Sequence, residues 1–184
     1  MSFEELPSKI FHPLLILPPS GALILILQNI GMMESLKWIG TWIVVSMLPT
    51  AYVAWNTGEK GFDVISRRQR DKSYLVGISS LIIALGLGIY FSAPGAVLDL
   101  GMYAIVAATV FGVFNRFTKI SIHTGSLGFV AGGFLTIMHS IGIAGIIATI
   151  PVGWSRVKLG CHTRNQVIQG AILGLTSGVL AGLL

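Results

Sequence analysis

The sequence predicts an all-α protein of the membrane: a polytopic bundle of about six to seven transmembrane helices, forming one domain over residues 1–184. Of the 184 residues, 53% are hydrophobic and 10% are charged, and the mean hydropathy is +0.82. A soluble domain carries about a quarter charged residues, so this composition leaves too little polar surface to cover a soluble core. The apolar runs show no strand-like alternation, which argues against a transmembrane barrel.

Seven apolar runs are candidate spans, because crossing about 30 Å of hydrocarbon takes about 20 helical residues. They cover residues 13–30, 38–55, 74–91, 100–114, 123–138, 140–154 and 167–184. The fifth and sixth runs are short, so two half-length helices, a tight hairpin and one kinked element all remain open for them. The segments between the runs are too short to hold a separate soluble domain.

The basic residues favour seven spans over six. With seven spans, eleven of the 12 Lys and Arg residues fall on one side of the membrane, and only Lys37 falls on the other. Joining the fifth and sixth runs would move the loop at residues 155–166 away from the other basic loops. The positive-inside bias then predicts a cytoplasmic N-terminus and cytoplasmic basic loops. A net charge of +5 is therefore interpreted as a topology signal, and nucleic acid is not an expected partner.

Other classes of protein are disfavoured by single features. Cys161 is the one cysteine, so no internal disulfide forms, and it completes no zinc-binding spacing with the histidines. No metal and no cofactor are expected. Residues 1–13 include Glu4 and Glu5 and lack a basic region before an apolar stretch, so no removable signal peptide is expected. The sequence carries no indication of the oligomeric state.

Glycines repeat at every fourth position of the last run, at Gly170, Gly174, Gly178 and Gly182. This spacing lines one helix face with hydrogens and predicts close approach of a neighbouring helix. The fifth run has a similar set, Gly125, Gly128, Gly132 and Gly133. Both sets are interpreted as packing surfaces within the bundle.

Three loops on the predicted cytoplasmic side hold nearly all the ionisable residues that follow the second run. The loops contain Lys60, Asp63, Arg67, Arg68, Arg70, Asp71 and Lys72; then Arg116, Lys119 and His123; then Arg156, Lys158, His162 and Arg164. Arginine binds phosphate oxygens bidentately, and histidine transfers protons or accepts a phosphoryl group near neutral pH. A site for an anionic headgroup, most naturally phosphate, is therefore predicted. The alternative is a non-catalytic membrane protein, such as a small transporter or an anionic-lipid-binding protein, whose cations only set topology or contact anionic lipid.

Spacing within these loops resembles the motifs of the type 2 phosphatidic acid phosphatase superfamily of membrane lipid phosphatases. In SRVKLGCHTRNQ, Ser155-Arg156 is followed by five residues and His162, as in that family's third motif. The loop NRFTKISIHTGSLG, with Lys119, Ser121 and His123, looks like the second-motif region of a divergent branch that has Lys-x-Ser-x-His. The stretch KGFDVISRRQRDKSY is similar to the first motif, since Lys60 and Arg67 have its spacing. An alternative alignment ends at Arg70, so both arginines are candidates.

The resemblance implies a metal-independent lipid phosphatase acting on a polyprenyl phosphate or diphosphate, or on a phosphatidic-acid-like lipid. His162 would be the nucleophile and form a phosphohistidine, and His123 would protonate the leaving alkoxide. The cations expected to bind phosphate are Lys60, Arg67 or Arg70, Lys119 and Arg156. Gln166 stands where the family has a carboxylate. Its amide oxygen is expected to accept the His162 N–H but not to stabilise the imidazolium by charge, so a weaker nucleophile is expected.

Overall fold

The computed structural model describes residues 2–57 and 66–183, and that part of the chain is helical, with no strand. The all-α prediction is therefore confirmed. The helices are α1 (Leu6–Ile10), α2 (Pro13–Leu27), α3 (Met32–Trp42), a π-helical turn (Ile43–Met47), α4 (Leu48–Thr57), α5 (Arg67–Tyr90), α6 (Gly95–Phe117), α7 (Ile122–Ile137), α8 (His139–Lys158) and α9 (Arg164–Leu183).

Five helical stretches within the described ranges are long and apolar enough to cross a membrane, which makes the chain an integral membrane protein by composition and length. They are Met32–Thr57, Arg68–Tyr90, Gly95–Phe117, His139–Lys158 and Arg164–Leu183. The predicted count of six to seven spans is not confirmed, because α2 and α7 are shorter. A helix of 15 residues such as α2 is about 22 Å long, less than the hydrocarbon thickness of about 30 Å.

The predicted first span, residues 13–30, ends early because Asn29 closes α2. Asn29 has a positive φ of 65°, and its N–H donates to the Ile26 carbonyl oxygen, while the Ile30 N–H donates to that of Leu25. This pair of bonds is a Schellman motif, in which a left-handed residue satisfies the last carbonyl groups of a helix. Asparagine tolerates that conformation better than most residues, so the helix ends at Leu27 although Ile30 is apolar.

The second span is longer than predicted and contains a π-helical turn. The turn at Ile43–Met47 is closed by the Leu48 N–H, which donates to the Ile43 carbonyl oxygen. Pro49 follows directly. A proline lacks the N–H that a regular helix needs and its ring clashes with the carbonyl four residues earlier, so the wider turn accommodates it without interrupting the helix.

The chain packs as two compact units. Unit 1 comprises Met1–Ser20 with Thr118–Leu184, and unit 2 comprises Gly21–Phe117. Large apolar side chains from α2, α3 and the start of α6 fill the core of unit 2, with Trp38 and Ile39 packed against Leu25, Ala93 and Val97.

Unit 1 is built on α7, α8 and α9. Helix α7 folds back into α8 at Met138, so that Gly142 lies against Leu135 and Gly145 lies against Ala131. The fifth and sixth apolar runs are thus two antiparallel helices and not one kinked element. Helix α9 runs parallel to α7. As a result, the segment before α7 and the segment joining α8 to α9 lie at the same end of unit 1.

Glycine packing between α7 and α9 is confirmed. A Cβ atom on Gly170, Gly174 or Gly178 would collide with the backbone of α7 or its N-cap residue, and one on Gly128 or Gly132 would collide with the backbone of α9. Because glycine has no side chain, the two backbones touch, which is the packing that small residues allow inside a membrane.

Candidate functional site

The third-motif segment is the turn between α8 and α9, and its shape follows from how α8 ends. Gly160 has a φ of +68°, a conformation that glycine adopts without strain. The Cys161 N–H donates to the Arg156 carbonyl oxygen at 3.1 Å, and the Gly160 N–H donates to that of Val157 at 3.0 Å. This is a second Schellman motif. The His162 N–H also donates to the Arg156 carbonyl, at 3.2 Å, so the turn fixes the backbones of Arg156 and His162 side by side.

Helix α9 begins immediately after His162, with Thr163 as its N-cap. The Thr163 N–H donates to Gln166 Oε1 at 3.1 Å, and the Gln166 N–H donates to Thr163 Oγ1 at 3.4 Å. This reciprocal pair is a capping box, the pattern formed by Ser or Thr followed three residues later by Glu or Gln. The spacing of five residues between Arg156 and His162 is therefore the length that one helix stop and one helix start require.

The second-motif segment contacts the third through Lys119. Its carbonyl oxygen lies 3.1 Å from His162 Nδ1, and its Nζ donates to the Cys161 carbonyl oxygen at 3.1 Å. The two segments are thus joined by a backbone group and a side chain of one residue. The group that orients the His162 ring is the Lys119 carbonyl, whereas Gln166 Oε1, which was expected to do so, accepts the Thr163 N–H.

The start of α7 is capped by its own Ser121 and is bonded to the start of α9 by two further contacts. Ser121 caps α7 by accepting the Thr124 N–H on Oγ at 3.4 Å, and its own N–H donates to the Gln166 carbonyl oxygen at 3.1 Å. Thr124 Oγ1 donates to the Val167 carbonyl oxygen at 2.9 Å. His123 lies between these residues in the first turn of α7 and is 7% exposed. The site's two histidines are therefore carried by the first turn of α7 and by the residue before the N-cap of α9.

The geometry fixes the tautomer of His162. A carbonyl oxygen only accepts hydrogen bonds, so Nδ1 carries the proton in its contact with Lys119, and the lone pair of the neutral ring is on Nε2. Nε2 is then the atom able to act as a nucleophile or base. The residue is only 6% exposed, so its neighbours restrict the orientation of the ring.

Arg156 is a buried cation whose backbone lies beside that of His162. It lies in the last turn of α8, where the carbonyl end of the helix dipole favours a cation. The residue is 3% exposed, which is unusual for arginine. The neighbouring Lys158 and Arg164 are exposed at the surface.

The first-motif candidates do not belong to unit 1. Lys60 lies outside the described residues, and so does the side chain of Arg67, whose backbone begins α5. Arg70 is in the first turn of α5, in unit 2, and is 6% exposed. Next to it, Asp71 Oδ1 accepts a hydrogen bond from Asn115 Nδ2 of α6 at 3.1 Å. Within unit 1, the structure brings five predicted site residues to one end: Lys119, His123, Arg156, His162 and Gln166.

No protein-family model, curated protein or solved structure matches the chain. Within residues 2–57 and 66–183, no three histidine, cysteine or carboxylate side chains are grouped so that they would hold a metal ion. The chemistry of the site is therefore argued from its own geometry.

Sequence reasoning missed His12, whose ring contacts His123 with a centroid distance of 5.0 Å. The two residues are far apart in the chain, and no spacing rule links them. It also predicted that Gln166 accepts a hydrogen bond from the His162 ring, although Thr163-x-x-Gln166 matches the sequence pattern of a capping box. The close pair of Ser155 and Ser8, whose Oγ atoms lie 2.9 Å apart, was likewise not predicted.

Proposed function

We propose that the chain is an integral-membrane lipid phosphatase that removes phosphate from a polyprenyl phosphate or diphosphate, or from a phosphatidic-acid-like lipid. The observation that carries the proposal is that one turn fixes the backbone of His162 while a carbonyl group orients its ring. The backbone N–H of His162 donates to the Arg156 carbonyl oxygen, and the Lys119 carbonyl oxygen lies at Nδ1 of the ring. Such double fixation is what a nucleophilic side chain needs in order to attack from one direction.

In the proposed first step, His162 Nε2 attacks phosphorus. The new P–N bond forms as the bond from phosphorus to the lipid oxygen breaks, and His123 gives its proton to that oxygen, so an alcohol leaves (a lipid monophosphate, if the substrate is a diphosphate). In the second step, water attacks phosphorus, the P–N bond breaks and His123 takes the proton of the water. The products are the dephosphorylated lipid and inorganic phosphate, with both histidines restored.

The cations neutralise the phosphate oxygens as charge shifts during transfer. Arg156 and Lys119 are the candidates in unit 1, and Lys60 with Arg67 or Arg70 are the candidates in the first motif. The acceptor at Nδ1 is a neutral carbonyl, which orients the ring but adds no negative charge. A slow enzyme is expected for this reason, compared with one that uses a carboxylate there.

We propose that α2 and α7 also insert in the membrane, which gives seven spans with the N-terminus and the site in the cytoplasm. Two observations support this proposal. Helices α7, α8 and α9 alternate in direction, and with seven spans nearly all the basic residues would fall on one side of the membrane, as the positive-inside bias expects. Apolar lipid tails would then lie along the helices, with the phosphate at the end of unit 1 that holds His162.

The neutral acceptor at His162 also favours a second candidate, a non-catalytic protein that binds anionic lipid through the same cations. One experiment separates the two. Purified protein is given vesicles containing phosphatidic acid or a polyprenyl phosphate, with and without chelator, beside His162→Ala and the exposed-residue control Lys158→Ala. We expect phosphate release by the unaltered protein and by Lys158→Ala, unaffected by chelator, and a loss of about 1000-fold or more in His162→Ala. Release no greater than that of His162→Ala would overturn the phosphatase and leave the lipid-binding protein.

A further inference from the structure

A second histidine contacts the proposed acid. The rings of His12 and His123 meet with a centroid distance of 5.0 Å and an interplanar angle of 84°. This is the edge-to-face arrangement that aromatic rings favour over face-to-face stacking. His12 comes from the segment before α2, and both residues belong to unit 1.

His12 is itself fixed by the start of α2. Its carbonyl oxygen accepts the Ile16 N–H at 3.1 Å, and its Nδ1 accepts the Leu14 N–H at 3.3 Å. His12 therefore acts as the N-cap of α2, ahead of Pro13 at the first helical position, where proline is favoured. A ring nitrogen that accepts an N–H bond is unprotonated, so this contact favours the neutral form of His12.

The residues before His12 are attached to α8 next to Arg156. The Ser155 hydroxyl donates to the Glu4 carbonyl oxygen at 2.6 Å and lies 2.9 Å from the Ser8 hydroxyl. The rings of Phe3 and Trp154 meet edge-on, with their centroids 6.1 Å apart. We call residues 2–12 the N-terminal segment. Because α8 holds this segment at several points, the position of His12 is set by the same helix that presents Arg156.

We infer that His12 is a positioning residue for His123, holding the imidazole in the orientation from which it protonates the leaving oxygen. The inference rests on the proposed phosphatase function. The last torsion of a histidine side chain has broad minima, so neighbours must select the ring orientation. A proton donor has to lie within hydrogen-bond reach of its acceptor in the transition state, and the His12 ring restricts the rotation that would break this alignment.

Two variants separate the ring contact from the cap. His12→Asn keeps a good N-cap acceptor but removes the ring, whereas His12→Phe keeps an aromatic ring but removes the acceptor. His139→Ala, at the exposed start of α8, serves as a control at a remote histidine. Each full-length protein is assayed in detergent with an alkyl phosphate lipid, whose leaving group needs a proton, and with 4-nitrophenyl phosphate, whose leaving group does not.

For His12→Asn we expect kcat on the alkyl phosphate to fall by about 10-fold or more, part of the 100-fold to 10,000-fold that an acid supplies. On 4-nitrophenyl phosphate kcat should stay within about 2-fold. His12→Phe should retain most of the alkyl rate, and His139→Ala all of it. An equal loss on both substrates in His12→Asn, or a loss in His12→Phe as large as in His12→Asn, would overturn the inference, because either result indicates a structural role.

A spectroscopic measurement keeps this test separate from that of the enzyme. With histidine labelled by ¹³C and ¹⁵N, we expect the His123 ring signals to shift and broaden in His12→Asn and to change little in His12→Phe. Unchanged His123 signals in His12→Asn would overturn the positioning role, whatever the activity. Absence of hydrolysis by the unaltered protein, with the shifted signals present, would instead overturn the phosphatase and with it the catalytic purpose of the contact.

Discussion

Unit 1 brings backbone against backbone, whereas unit 2 fills its interior with large side chains. In unit 1, Gly174 of α9 faces the backbone at Gly125 and Phe129 of α7. In unit 2, the side chains of Trp38 and Leu25 pack together in the core. Large side chains adjust their rotamers when a neighbour changes, but two touching backbones do not. The glycine-packed unit is thus the more suitable support for a site that needs fixed geometry.

The polar groups at the start of α9 in unit 1 and at the start of α5 in unit 2 also differ. In the turns of unit 1, the backbone and side-chain groups of Thr163 and Gln166 satisfy one another. At the start of α5 in unit 2, the oxygens Gln69 Oε1, Ser73 Oγ and Tyr74 Oη are buried without a hydrogen-bond partner among the described residues. Buried polar atoms of this kind are costly. Of these two helix starts, that of α9 therefore has the better satisfied polar groups.

The contrast in packing is tested most strongly by adding one methyl group to each unit. In Gly174→Ala the new Cβ meets the Gly125 carbonyl and the Phe129 nitrogen, which belong to the backbone and cannot rotate away. We expect a loss of about 1–3 kcal/mol in the free energy of unfolding, as for other overpacked positions. The loss is measured by thermal or denaturant unfolding in detergent, together with the rate of phosphate release.

Gly86→Ala in α5 is the matched control, because nothing lies within 4 Å of its added Cβ. Alanine also favours a helix over glycine by up to about 1 kcal/mol, so this variant should be neutral or slightly stabilised. Equal stability of Gly174→Ala and Gly86→Ala would show that the α7–α9 contact is not the rigid element of the molecule.

A smaller effect is expected at the capping box. Gln166→Ala should cost about 1 kcal/mol of stability, as loss of a helix cap does. Hydrolysis by the folded protein should stay within about 2-fold, because the carbonyl of Lys119 and not Gln166 orients His162. Unfolding and single-turnover phosphate release are measured on the same preparation.

Thr163→Ala removes the other half of the box and provides the internal comparison. If both residues act in one cap, the stability loss of the double variant is smaller than the sum of the two single losses. A fall in hydrolysis of about 100-fold or more in Gln166→Ala, with Thr163→Ala active, would return Gln166 to the relay role and contradict the structure.

The helical fold could be predicted because its signals are local and repeated. The apolar runs gave the helices, and four glycines at every fourth position gave the packed face of α9. The ends of the helices were harder to predict. Asn29 ends α2 by adopting a left-handed conformation, and composition does not reveal this for an asparagine between apolar residues. The π-helical turn before Pro49 is likewise a local response to a proline that the chain tolerates without a break.

The candidate site was predicted only where it follows the chain. Arg156 and His162 are close because one turn joins two helices, so their spacing is informative. The contact of His12 with His123 depends on how the N-terminal segment packs on α8, and no pattern in either segment encodes it. Gln166 was placed by analogy at the nucleophile. Its side chain instead accepts the N–H of Thr163, three residues earlier in the chain.

The central claim is that His162 accepts the phosphoryl group, and trapping that intermediate tests it most directly. Protein is mixed with ³²P-labelled lipid phosphate, quenched in alkali during the first turnover, and digested for mapping by mass spectrometry. We predict label on the peptide containing His162, stable to alkali and released by acid, and absent from His162→Ala. Phosphate release without label on His162, or label on a serine or threonine, would contradict the account.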